Sequence, residues 1–153
     1  MQQIVSKALS RLFRSLFIQP DDGCKTAKGA YHVETDRVKF IKHQEKEILF
    51  LDFSNSQTAE VLKIIEDAKQ VIRTRPQNSL LTLTDVTNAR FNEAVGEGMK
   101  QFTAHNKPYV KAAAVVGITG LKRIIFGAVM AFSKRKIESF DDVEQAKQWL
   151  ANS

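Results

Sequence analysis

The chain has 153 residues, a formal charge of +6 and a single cysteine, Cys24. That length fits one domain with a hydrophobic core of its own, and ordinary charged (26%) and apolar (43%) fractions exclude wholesale disorder. One cysteine excludes an internal disulfide and fits a reducing compartment, so a cytoplasmic location is expected. No run approaches the ~20 apolar residues that span a bilayer, the longest being Ile124 to Phe132.

In chain order, Ile4, Val5, Ala8, Leu9, Leu12, Phe13, Leu16 and Phe17 recur at helical spacing, with Lys7, Ser10, Arg11 and Arg14 on the other side. Residues 1–20 are therefore read as a basic amphipathic helix ended by Pro20, or as a targeting segment. Residues 21–28 form a linker, and the domain proper covers 29–153. Two alternating runs, around Tyr31 and Val33 and around Val38 and Phe40, predict strands separated by a turn at Thr35-Asp36. A turn at His43-Gln44-Glu45 precedes Glu47 to Phe53, a strand apolar on both faces and so interior to a sheet.

From there the pattern alternates. Helices are predicted over Thr58–Thr74, Asn92–His105, Leu121–Phe132 and Asp142–Leu150, and strands over Ser79–Val86, Lys111–Gly117 and Ile137–Phe140. Asn106 is the expected C-cap of the second of these helices, before Pro108. Strands alternating with helices predict an α/β fold. Its sheet of four to six strands is mostly parallel, antiparallel at the start and flanked by four helices. In the helix 121–132, Leu121, Ile124, Ile125, Ala128 and Phe132 are expected to face inward. Phe126 and Met130 then point outward beside Lys122 and Arg123. On that reading the face formed by Leu9, Leu12, Phe13, Leu16 and Phe17 docks on Phe126 and Met130 of the same or a neighbouring chain, or else lies in a membrane interface.

Charge is uneven. Between Glu97 and Glu138 there is no acid, while Lys100, Lys107, Lys111, Lys122, Arg123, Lys134, Arg135 and Lys136 accumulate. Such a run favours an anionic partner: lipid head groups, an acidic protein face or nucleic acid. No helix-turn-helix, RNP or stacking pattern supports nucleic acid.

Ligands of open α/β sheets bind beyond the carboxyl ends of the strands. Three such ends stand out here: Asp52-Phe53-Ser54-Asn55, Asp85-Val86-Thr87-Asn88 and Gly117-Ile118-Thr119-Gly120. Asp52 and Asp85 are either a carboxylate pair for acid–base or Mg²⁺ chemistry, or loop caps that accept backbone N–H groups. Gly117 and Gly120, with Lys122 and Arg123 in the following helical turn, either hold an anion or serve a tight turn. His32, His43 and His105 lack ligand spacing, so no metal is expected; no cofactor motif or nucleophile elbow is present.

The order of elements, with LLTLTDVTNARFNEAV from Leu80 and KAAAVVGITGLKRI from Lys111, resembles the STAS domain (sulphate transporter and anti-sigma-factor antagonist) over about residues 30 to 151. More narrowly, the chain is similar to uncharacterised bacterial STAS-like proteins grouped with the CRAL-TRIO lipid-binding fold. The resemblance implies a non-enzymatic module. Its expected site is Asp85, Thr87, Asn88, Arg90, Gly117, Thr119, Gly120, Lys122 and Arg123, taking a protein partner or a small apolar or anionic ligand. STAS regulators carry a phosphorylatable serine at the start of the helix after this strand. The matching stretch, Asn88-Ala89-Arg90-Phe91-Asn92, has none, and Thr87 is the nearest hydroxyl. The chain is thus expected to be a STAS-like interaction or regulatory module. The alternative is a peripheral membrane or lipid-binding protein, and self-association is open in either case.

Overall fold

The computed structural model describes residues 35–133 and 137–153, all within Tyr31–Ser153, one of two units into which the chain divides. The predicted helix over 4–17, the run around Tyr31 and Val33, Cys24 and Lys134 to Lys136 lie outside the described residues.

The domain opens on a hairpin of β1 (Val38–His43) and β2 (Lys46–Asp52), antiparallel from Val38↔Leu51 to His43↔Lys46. Its two connecting residues, Gln44 and Glu45, have φ of 47° and 62°. Two successive positive φ values give the turn whose twist suits paired strands. His43, expected in this turn, instead closes β1. β2 is apolar on both faces because both are covered: Leu49, Leu51 and Phe53 enter one core, Ile48 the other.

Four helices follow. In α1 (Thr58–Ile72), of the residues expected inward, Val61, Ile65, Ala68 and Ile72 are buried, together with Ile64 and Val71, whereas Leu62 is only partly buried. β3 (Leu80–Asp85) leads to α2 (Glu93–Asn106), whose N-cap is Asn92: its side chain accepts the Val95 N–H at 3.0 Å. Asn106, the expected C-cap, is the last helical residue, and Lys107 takes the cap. β4 (Val110–Val116), α3 (Leu121–Ser133), β5 (Ile137–Phe140) and α4 (Val143–Ala151) complete the order. Asp142 caps α4, accepting the N–H groups of Glu144 and Gln145 at 2.9 and 3.0 Å.

The sheet has the order β1-β2-β3-β4-β5, with every pair after the hairpin parallel. Three consecutive crossovers advance in one direction. Connections of one hand therefore place α1, α2 and α3 on one face. That face holds the larger core, around Leu49, Leu51, Phe53, Ile65, Ile72 and Val95. α4 covers the other, where Ala146 and Leu150 pack with Ile48, Leu81, Leu83, Ala112 and Ala114. Trp149 meets Phe140 at a ring-centroid distance of 5.7 Å.

One expectation is reversed. In α3, Val129 and Ser133 are buried, and Phe126 and Met130 pack against the core. Leu121, Ile124 and Phe132 are 56%, 71% and 59% exposed, and Ala128 is exposed with them. The helix is apolar on almost every side, so its sequence carries no single stripe that fixes its rotation. Packing fixes it: Ile125 sits over Gly96 of α2, which brings Lys122, Phe126 and Met130 toward the sheet. Phe126 and Met130 are therefore partly buried against the core and do not form the outward contact surface.

Candidate functional site

The carboxyl ends of β2 and β3 carry the same four-residue device. Asp52-Phe53-Ser54-Asn55 and Asp85-Val86-Thr87-Asn88 each place an aspartate in the sheet register, a buried apolar residue next, a hydroxyl third and an asparagine fourth. Asp52 Oδ1 accepts the Ser54 N–H at 2.9 Å, and Asp85 Oδ1 accepts the Thr87 N–H at 2.8 Å. These are Asx turns. The chain then reverses through Asn55 (φ 56°) and Asn88 (φ 54°), a left-handed conformation that asparagine tolerates better than most residues. The two turns are joined to each other. Phe53 N–H donates to Asp85 O and Asn55 N–H to Thr87 O, both at 2.9 Å. Asn88 Nδ2 donates to Asn55 Oδ1 at 3.2 Å.

Asp52 and Asp85 thus stand side by side on adjacent parallel strands, as a catalytic or metal-binding pair requires. Their bonding is of another kind. Asp52 also accepts the Ser54 hydroxyl at 2.5 Å and pairs with Arg37 at 3.2 Å; Arg37 in turn reaches Ser54 O at 3.0 Å and Glu60 at 3.3 Å. The carboxylates hold the loops in shape. Among the described residues no group of three His, Cys, Asp or Glu side chains is arranged to hold a metal ion.

The third strand end joins the second through Gly117. Its φ is +80°, and a Cβ there would lie 2.6 Å from the backbone nitrogen of Thr87. Only glycine permits this approach. It welds the 85–90 loop to the 117–120 turn. Gly120, at φ +55°, has nothing near the Cβ position, so its role is conformational only. Thr87, Asn88, Arg90, Thr119, Gly120 and Arg123 are exposed along this edge, and Asp85 and Lys122 are half-buried in it. The expected residues are thereby brought together. What the sequence reading missed is the repeated Asp-apolar-hydroxyl-Asn pattern, which was visible in the sequence as DFSN and DVTN.

Beneath the edge lies an apolar pocket of about 80 Å³ between the sheet, α2 and α3. Its walls include Val86, Phe91, Met99, Ile118, Phe126 and Val129. An engineered closed apolar cavity of about 150 Å³ admits benzene; this smaller space is open to solvent and accepts a small apolar group. Lys122 lines it too, and its Nζ donates to Val86 O at 2.7 Å. It does not point outward as an anion ligand of the helix start. Burial lowers the Lys122 pKa below the ordinary lysine value, and the nearby Asp85 carboxylate opposes the shift.

The unfolded chain therefore binds the Lys122 proton more tightly than the folded one. Its contribution to stability improves as pH rises through the folded pKa toward the ordinary lysine value. In Lys122→Met that part of the alkaline rise is expected to vanish. Urea midpoints of both proteins across the alkaline range check this; parallel curves would contradict it.

A hairpin followed by parallel β-α units, with three helices on one face and one on the other, is a STAS-like α/β fold. Among solved structures the chain is similar to an uncharacterised protein of the DUF3478 family with a SpoIIAA-like fold, from Shewanella loihica PV-4. The TM-score is 0.59 at 13% identity, over 74% of this chain and 91% of that one. At that identity the likeness establishes the fold, which is the STAS-like α/β fold expected from the sequence. No protein-family model and no curated protein matches the chain. No described helix is long and apolar enough to cross a membrane.

Proposed function

We propose that this chain is a non-enzymatic, cytoplasmic STAS-like interaction module that binds a protein partner through the 85–92 loop and the 117–123 turn. One observation carries the reading. The carboxylates best placed for chemistry are engaged in shaping the loops, and those loops present Thr87, Asn88, Arg90, Thr119 and Arg123 to solvent on a cross-braced backbone. Rigid loops with exposed polar side chains suit recognition without rearrangement. The usual phosphoacceptor serine is replaced by the Asn88 to Asn92 stretch, in which Ala89 is buried and Asn92 caps α2. The partner is therefore bound without that switch.

Site-specific photo-crosslinking in cells tests this. A crosslinker at Arg90 or Arg123 is expected to give a discrete protein adduct. The same group at Pro76 or Gln77, exposed in the connection before β3 at the opposite edge, should not. Adducts that are equal at both edges, or absent from the first, would remove the proposal.

A further inference from the structure

The apolar pocket under the loop edge carries one charged group on its wall. Lys122 lines it together with Phe91, Met99, Phe126 and Val129, and the remaining polar lining groups are the hydroxyls of Thr84 and Thr103. The Thr103 hydroxyl already donates to Met99 O at 2.7 Å. An ammonium has three N–H donors, and the bond from Lys122 to Val86 O uses one of them. Among the described residues no carboxylate forms an ion pair with Lys122. The Asp85 carboxylate acts on it from outside the lining, with Oδ1 held by the Thr87 N–H.

A wall of this kind suits a ligand with two unlike ends. Apolar side chains receive an alkyl group, and a cation with unused donors receives an anion. One ammonium with Asp85 nearby matches a single negative charge. A phosphate group carries close to two, more than this wall offsets. Lys122 is half-buried and the pocket is open to solvent, so a carboxylate held there keeps part of its hydration and escapes the full cost of burying an ion. We propose that the pocket binds a small monocarboxylic acid, its alkyl group among the apolar walls and its carboxylate on the Lys122 ammonium. The site lies between both loops of the recognition edge, since Val86 and Phe91 come from one and Ile118 and Lys122 from the other. It does not depend on a protein partner, and either assignment can fail without the other.

The test is an NMR titration of the full chain with acetate, propionate, butyrate and the uncharged butyramide. Butyrate is expected to shift the amides of Phe91, Met99 and Ile118 to saturation, with affinity rising about fourfold per methylene from acetate. Butyramide keeps the carbon chain without the charge, and it should bind roughly tenfold more weakly than butyrate. Lys122→Met keeps an apolar stem without the ammonium and should lose the preference for butyrate over butyramide. Met99→Phe fills the pocket and should weaken both ligands. Thermal melts check that the two variants fold; if one does not, the comparison of butyrate, acetate and butyramide on the parent decides. The proposal is overturned if butyrate leaves the pocket amides unmoved, if acetate or butyramide matches it, or if either folded variant binds butyrate as the parent does.

Discussion

Gly117→Ala is expected to lower the thermal midpoint by roughly 10 °C, the counterpart of about 3 kcal/mol in a domain of this size. Two costs combine. The residue holds φ +80°, and its new Cβ would meet the Thr87 backbone at 2.6 Å. The Thr87 hydroxyl, also in the way, can rotate aside, but the Thr87 backbone nitrogen and Cα cannot. Gly120→Ala is the matching control. At φ +55° with open space around the Cβ position, it carries the conformational cost alone, about 1 kcal/mol. Circular dichroism melts of the two variants separate the contact from the dihedral. Equal midpoints would mean that the 85–90 loop and the 117–120 turn are not braced as described. Because both loops belong to the proposed recognition edge, Gly117→Ala should also reduce crosslinking from Arg90.

Phe53→Ala is expected to cost about 3–5 kcal/mol, enough to consume much of the stability of a small domain. Phe53 is fully buried, follows the last residue of β2, and donates its N–H to Asp85 O. Truncation leaves a void under both Asx turns. Phe132→Ala is the contrast. That ring is 59% exposed, and its loss should stay within about 0.5 kcal/mol. Chemical denaturation of the pair checks the burial contrast and the rotation of α3 together. If Phe132→Ala were as damaging as Phe53→Ala, the outward placement of that ring would be wrong.

The fold was legible because its elements repeat their apolar residues at clear periods. In α1, Val61, Ile65, Ala68 and Ile72 mark one face and are buried. The run EILFLDF announced a strand covered on both sides, and β2 is flanked by β1 and β3. Element ends moved where caps compete, as at Asn92 and Asp142, each predicted as the first residue of a helix and found as its cap. The rotation of α3 was not legible. Ile124 and Phe126 are both large and apolar, and only the approach of Ile125 to Gly96 and the bond from Lys122 to Val86 O decide which turns inward. Those are contacts between residues 29 and 36 positions apart, which a periodicity cannot report. The loop edge was half legible. Strand ends flagged the residues, but the weld between Gly117 and Thr87 is a tertiary fact.

The strand order has a kinetic side as well. Each strand pairs with its nearest neighbours in sequence, so no pairing waits for a distant segment. During synthesis the hairpin can be joined by β3, then β4, then β5, each finding its partner already made. The second face lags behind. Ile48, Leu81 and Leu83 are in place early, but their cover, Ala146 and Leu150, comes from α4. Until Val143–Ala151 has been synthesised, the growing chain carries a bare apolar sheet face. That interval is when this protein is most exposed to aggregation and most suited to capture by a chaperone.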